Sequence, residues 1–137
     1  MKNNFNQPVI FLGMKTNYTR LFAADTGESH FEDVEVDLPL ADFALSAPPM
    51  GLSEYFPSLR SAFLGGPEGW TGDWHVSSGR NLFVVLSGEW EIEASDGTVR
   101  KFASPHVLLA EDASGKGYRS RVISQEDSLA LVVEPAE

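Results

Sequence analysis

The stretch that decides the fold runs from Leu82 to Phe102 and reads LFVVLSGEWEIEASDGTVRKF. It begins with an unbroken apolar run, which predicts a strand that is buried on both faces. After the turn at Ser87-Gly88, acidic and apolar residues alternate with a period of two, which predicts a strand with one wet and one buried face. Asp96-Gly97 is a strong signal for a two-residue hairpin turn, so the chain should return along a third strand.

Further strands are predicted on both sides of this stretch, over residues 18–24, 31–38, 107–110, 118–123 and 129–133. They are short, follow one another at spacings of roughly ten residues and show no helical period, which indicates a β-sandwich or barrel. Between residues 41 and 69 the density of Pro and Gly excludes a long helix, so we expect loops and short edge strands there. The predicted fold class is all-β.

The composition limits the partners and the compartment. The 137 residues include 20 acidic and 10 basic side chains, and this acidic excess argues against nucleic acid and anionic membranes, since both need a cationic patch. The apolar run at 9–12 is too short for a signal-peptide core, and no run has the length of a membrane span. The chain contains no cysteine, which excludes disulfides and thiol chemistry. We therefore expect a cytoplasmic protein that binds neither nucleic acid nor membrane.

Gly69, His75, Ser77, Asn81 and Gly88 follow one another at steps of six, two, four and seven positions. This spacing resembles the first motif of the cupin family, which has a Gly, a His after five intervening residues, a second His, a Glu and a closing Gly. Both glycines and the first His match, whereas Ser77 stands in place of the second His and Asn81 in place of the Glu. The resemblance extends over residues 69–122.

The second cupin motif is matched more loosely. Gly97 stands at its start, Pro105 lies near its Pro-Gly turn, and Tyr118 takes the place of its last His. The resemblance implies a double-stranded β-helix, the jelly-roll barrel of the cupins. It implies one cupin domain over residues 1–137, with N-terminal strands and wrapping loops over 1–68 and the core motifs over 69–133.

The resemblance also raises the question of a metal. Metal-binding cupins hold Fe, Mn, Ni or Zn on three His and one Glu, because a divalent ion must exchange water for strong N or O donors. Only His75 keeps a strong ligand here, since Ser77 and Asn81 are weak neutral donors and the Tyr118 hydroxyl has an ordinary pKa of about 10. We predict that no metal cofactor is bound. A divalent transition metal on substitute ligands is the second possibility, and the candidates are His30, His106, Glu111 and Asp112.

Strand parity predicts a ligand pocket inside the barrel. If the strand is unbroken, His75, Ser77, Asn81 and Phe83 share one face, while Trp90 points inward and Tyr118 lies on the opposing strand. The predicted pocket residues are His75, Ser77, Asn81, Phe83, Trp90 and Tyr118, an apolar floor with a few polar groups. The same polar side chains are also explained as hydrogen-bonded core residues.

Residues near this pocket have more than one interpretation. Trp70 and Trp74 suit stacking on a sugar or an aromatic ligand, or a structural role that caps the barrel or forms part of a dimer interface. Arg119 and Arg121 suit carboxylate recognition, or cross-strand ion pairs with the alternating Glu residues. Asp112 is expected to cap the backbone of the turn that follows it.

Three functions remain in view from the sequence. The first is a small cupin that binds a small organic molecule in its barrel without a metal. The second is a cupin enzyme, either an oxygenase or isomerase that uses substitute metal ligands, or a metal-free enzyme with His75 and Tyr118 as acid–base groups. The third is a structural scaffold, and a homodimer is expected from the family because cupins pair through edge strands.

Overall fold

The structure is a computed structural model and describes residues 13–136. The regular elements in this range are the strands β1 (Met14–Ala23), β2 (Ser29–Leu38), β3 (Leu40–Ala41), β4 (Met50–Gly51), β5 (Ser58–Gly66), β6 (Asn81–Ser87), β7 (Glu89–Ala94), β8 (Val99–Ala103), β9 (Val107–Ala110), β10 (Tyr118–Val122) and β11 (Ser128–Pro135). The predicted all-β fold class is confirmed. Within the described range no helix has the length and apolarity to cross a bilayer. The apolar run at 9–12 lies outside the described residues.

The described residues divide into two compact units, 13–16 with 35–54 and 17–34 with 55–136. In the smaller unit β3 pairs antiparallel with β4, and Lys15 Nζ lies 3.0 Å from carboxylate oxygens of both Glu35 and Asp37. No residue among 13–16 and 35–54 is buried, and Leu45 is 99% exposed. The described residues of the smaller unit therefore form no buried core of their own. The single domain predicted for 1–137 stays a prediction.

The larger unit is built on two sheets that enclose one core. The six-stranded sheet has the order β2-β1-β9-β6-β11-β5 and the three-stranded sheet the order β10-β7-β8. β1 pairs with β9 in parallel, whereas β9, β6, β11 and β5 pair antiparallel. The buried core draws on both sheets and comprises Leu21, Val85, Ile92, Ala94, Phe102, Leu108, Ala110 and Tyr118. The double-sheet architecture predicted from the strand pattern is thus confirmed.

The segment before β6 extends the smaller sheet. Its backbone bonds to β10 through Gly72 N to Ser120 O and through both bonds between His75 and Tyr118, each 2.9 Å long. The chain then turns at 77–80, and β6 begins at Asn81 in the other sheet. The parity argument assumed one unbroken strand from His75 to Phe83. That assumption is wrong, because His75 and Phe83 belong to opposite sheets.

The Pro- and Gly-rich region contains a full-length strand, not only loops and short strands. β5 spans nine residues and lies at the edge of the larger sheet, with β11 as its neighbour on one side. Its side chains are exposed up to its last residue, Gly66, and they include Leu59 at 66% and Phe63 at 74% exposure.

The apolar run of β6 is less buried than its sequence predicts. Phe83 and Val85 face the core, in register with Leu108 and Ala130 respectively. The alternate residues lie on the outer face of the sheet, where Leu82 and Val84 are half-buried and Leu86 is 42% exposed. Burial on both faces is therefore incomplete in the single chain.

Candidate functional site

A cavity of about 290 Å³ lies between the two sheets of the larger unit. Its wall is formed by Leu64, Gly65, Gly66, Trp70, His75, Phe83, Val85, Trp90, Ile92, Phe102, Leu108, Tyr118, Ser120 and Ala130. Most of this surface is apolar, and the polar groups are few, which is the composition of a small-molecule site.

Two tryptophans form one end of the cavity. The rings of Trp70 and Trp90 meet edge to face with their centroids 5.9 Å apart. Gly66 makes room for this arrangement, because a Cβ there would lie 2.5 Å from the Trp90 ring and 2.7 Å from Val122. Nε1 of Trp90 is buried and has no hydrogen-bond partner among residues 13–136. The aromatic end therefore contains one buried donor that is left unpaired, at a cost of about 1–3 kcal/mol.

The polar groups of the cavity gather around Tyr118. Its hydroxyl is hydrogen-bonded to Ser77 Oγ at 2.7 Å, and its ring centroid lies 4.7 Å from that of His75. Burial is the main cause that raises the pKa of Tyr118 above its usual value, and the nearby Asp112 adds to the rise while the Ser77 bond opposes it. The phenol therefore stays protonated at neutral pH and acts as a hydrogen-bonding group.

His75 has a defined tautomer when it is neutral. Its Nδ1 lies 2.9 Å from the carbonyl oxygen of Asp73, and a carbonyl can only accept, so Nδ1 carries the proton. Nε2 of the neutral ring is then a free acceptor. Because His75 is exposed and also lines the cavity, it lies at the mouth.

The loop between β9 and β10 holds His75 and Tyr118 together. The Asp112 carboxylate is fully buried and accepts hydrogen bonds from Gly115 N at 2.7 Å and from Gly117 N at 2.9 Å. Ser77 N donates to the Asp112 backbone carbonyl at 2.8 Å, which ties the His75 segment to the same loop. The predicted capping role of Asp112 is confirmed.

Four of the six predicted pocket residues line the cavity, and two do not. His75, Phe83, Trp90 and Tyr118 line the cavity, whereas Ser77 is buried behind Tyr118 as its hydrogen-bond partner. Asn81 is outside the wall, at the start of β6 opposite Ala110. Their role in ligand binding stays a prediction.

Sequence reasoning left several wall residues out of the predicted pocket. Phe102 could have been found from the Asp96-Gly97 hairpin, whose register places it opposite Trp90. Leu64 and Gly66 could not have been found from the sequence, because they belong to β5. This strand reaches the cavity only through its pairing with β11, which is distant in the sequence. Trp70 lines the cavity, and Trp74 instead lies under the Arg119 guanidinium at 5.1 Å.

The charged residues near the motif are engaged in ion pairs. Arg119 pairs with Glu93 and Arg121 with Glu91, each at 2.8 Å, on the outer face of the smaller sheet. Such cross-strand pairs were one of the two interpretations of these arginines, and the structure supports it. Exposed pairs of this kind contribute about 0–1 kcal/mol each.

The residues at the cupin ligand positions do not fit a metal ion. Ser77 Oγ is occupied by the Tyr118 hydroxyl, Asn81 lies outside the wall, and the Tyr118 phenol is held in its protonated form. The four substitute candidates are engaged elsewhere. His30 pairs with Asp96, and Glu111 pairs with Arg20 and Arg80. The Asp112 carboxylate accepts the N–H groups of its own loop, and His106 Nδ1 accepts from Ala103 N at 3.3 Å. Among residues 13–136 no three His, Asp or Glu side chains gather into a possible metal site.

Comparison with solved structures finds a similar fold. The cupin domain of Schizosaccharomyces pombe Cnp3 is similar to this chain at 14% identity and a TM-score of 0.45, over 89% of this chain and 84% of that one. No family model matches the chain, and no curated protein matches its sequence.

Proposed function

We propose that this protein is a small-molecule binding protein that takes its ligand between the two sheets without a metal. The observation that carries the proposal is the cavity of about 290 Å³ whose wall combines aromatic side chains with the polar groups of His75, Tyr118 and Ser120. At roughly 30 Å³ for each water-sized group, the space suits a ligand of about ten non-hydrogen atoms. Acid–base catalysis by His75 and Tyr118 has less support, because the raised pKa of Tyr118 disfavours proton release.

A cavity-filling substitution tests this proposal. Ala130 is buried, lies on β11 and lines the cavity, so the side chain of Ala130→Leu would occupy the ligand's space. Indole is a suitable probe because it is small, apolar and planar. We expect indole to raise the Tm of the wild type, since a ligand at a hundred times its Kd stabilises by about 2.7 kcal/mol, and to leave Ala130→Leu unchanged.

A matched control uses the same substitution outside the cavity. Ala103 ends β8 and is not part of the wall, so Ala103→Leu should keep the response to indole. Indole binding that Ala130→Leu leaves intact would place the ligand elsewhere and overturn the proposal.

We also propose that two copies associate through β5. Among residues 13–136 β5 is paired on one side only, and identical open edges can pair antiparallel about a twofold axis. Its outer face presents Leu59 and Phe63, and the apolar surface continues onto β11 at Leu131. These features favour the scaffold role as a second candidate function, alongside ligand binding.

Charge supports a second copy as the occupant of this surface. The chain has a net charge of −10, so two copies repel unless they meet where carboxylates are scarce. β5 carries no acidic residue, and its Arg60 forms an ion pair with Glu134 of β11. The β5 edge thus offers an apolar surface on which the acidic excess is locally neutralised.

Sedimentation velocity tests the association. We expect a dimer for the wild type and a weaker dimer for Phe63→Asp, by about 2–4 kcal/mol, since buried aromatic side chains dominate such interfaces. Phe63 is 74% exposed in the single chain, so the substitution should leave the fold intact. Val99→Asp, at an exposed position on β8, is the control and should leave the dimer unchanged. A monomeric wild type, or equal effects of both variants, would contradict the proposal.

A further inference from the structure

No side chain in the cavity wall is permanently charged. Among the described residues that line it there is no Asp, Glu, Lys or Arg side chain. The nearest candidates for anion recognition, Arg119 and Arg121, hold Glu93 and Glu91 on the opposite face of their sheet. A carboxylate or ammonium group in the cavity would lose its hydration and meet no side chain of fixed opposite charge, which is costly.

From this wall we infer that the ligand is a neutral aromatic molecule with one hydroxyl group, a phenol in chemical class. This inference rests on the proposed binding function and specifies its ligand. The aromatic part fits the end formed by Trp70 and Trp90, whose edge-to-face pair offers ring surfaces at a spacing typical of aromatic contacts. Phe83 and Phe102 extend the same apolar surface from the two sheets.

The hydroxyl group is matched by the other end of the cavity. Neutral His75 keeps Nδ1–H on the Asp73 carbonyl, so its Nε2 is an acceptor for a ligand O–H at the mouth. The Tyr118 hydroxyl already shares a hydrogen bond with Ser77, which leaves it one further bond to a ligand oxygen. A phenol can both donate and accept, and therefore suits both groups, whereas a hydrocarbon leaves both unmatched.

Calorimetric titration with three related probes tests the ligand class. p-Ethylphenol, ethylbenzene and the p-ethylbenzoate anion share one ring and one ethyl group and differ in the polar substituent. We expect p-ethylphenol to bind about tenfold tighter than ethylbenzene, the equivalent of one hydrogen bond. It should bind about a hundredfold tighter than p-ethylbenzoate, whose charge has no partner in the wall.

Substitution of His75 tests where the hydroxyl binds. His75→Ala should remove most of the preference for p-ethylphenol over ethylbenzene and leave the affinity for ethylbenzene within about twofold. His106 is also exposed but does not line the cavity, so His106→Ala is the control and should keep the preference.

The outcomes separate the ligand class from the binding function. Probes that bind in the wild type and fail to bind in Ala130→Leu place the ligand in the cavity. If p-ethylbenzoate then binds as tightly as p-ethylphenol, or the preference survives in His75→Ala, the phenol class is wrong while the binding function stands. If no probe is affected by Ala130→Leu, both proposals fail together.

Discussion

Replacing Asp112 by alanine is expected to lower the free energy of unfolding by about 2–4 kcal/mol. The Asp112 carboxylate is fully buried and accepts the backbone N–H groups of Gly115 and Gly117. Alanine would leave both donors without an acceptor in the interior of the loop. Part of the loss is offset, because the substitution also removes the cost of burying a carboxylate. Urea denaturation measures the difference.

The matched control for Asp112→Ala is Asp127→Ala. The Asp127 carboxylate also accepts a backbone N–H from a distant residue, Glu68, at 2.9 Å, but it is exposed to solvent. Water can replace the Asp127 carboxylate as the acceptor of this N–H, so we expect the free energy of unfolding to fall by only about 0.5–1 kcal/mol. Equal losses in the two variants would show that the burial of Asp112 contributes nothing, and would contradict the role assigned to it.

The effect of Asp112→Ala should extend to the cavity. Gly117 precedes Tyr118, and Ser77 donates its backbone N–H to the Asp112 carbonyl, so the loop sets the positions of both members of the Ser77–Tyr118 pair. When the loop loosens, the polar end of the cavity should lose its geometry while the aromatic end keeps it. The variant is therefore expected to retain ethylbenzene binding better than p-ethylphenol binding.

The second half of the chain was predictable because its signals are local. β7 shows a strict alternation of acidic and apolar residues, and Asp96-Gly97 fixes the hairpin that joins β7 to β8. The alternation decides which face is buried, and the turn decides the register, so Trp90 and Phe102 become neighbours. Neither inference needs information from a distant part of the chain.

The parts that sequence reasoning missed depend on distant partners. β5 contains Gly65-Gly66 and lies between prolines, so its local pattern indicates a loop. Its strand conformation follows from pairing with β11, which lies more than sixty positions away in the sequence. In that pairing Phe63 lies opposite Leu131 and Gly66 opposite Ser128. The turn after His75 was missed for a related reason. Spacing alone cannot distinguish one continuous strand from two strands in opposite sheets when only five residues, 76–80, separate His75 from β6.

The apolar run of β6 predicted the strand correctly and its burial only in part. Its unbroken apolar sequence predicted a strand covered on both faces, and the inner residues Phe83 and Val85 do lie against the core. The outer residues lack a full cover in the single chain, with Leu86 exposed. Pairing at the β5 edge would extend the sheet and leave this face uncovered, since β11 lies between β5 and β6.

Gly117→Ala is expected to be the most destabilising substitution of a single methyl group among those considered, with a loss of about 3–5 kcal/mol. Gly117 has a φ of +85°, a left-handed conformation that costs an L-residue about 1–2 kcal/mol. A Cβ would also collide with the backbone of His75, with the carbonyl carbon only 2.8 Å away. The collision involves backbone on both sides, so a side-chain rotation cannot relieve it.

Gly97→Ala separates these two contributions. Gly97 has nearly the same φ, +91°, but a Cβ there would meet nothing within 4 Å. It should therefore show the conformational cost alone, about 1–2 kcal/mol, and bind p-ethylphenol normally. In Gly117→Ala the His75 segment must move away from β10, which strains the two 2.9 Å hydrogen bonds between His75 and Tyr118 and displaces the acceptor at the cavity mouth. Equal losses of stability in the two variants would mean that the His75 segment yields freely, and a segment that yields freely cannot hold Nε2 in place for a ligand hydroxyl.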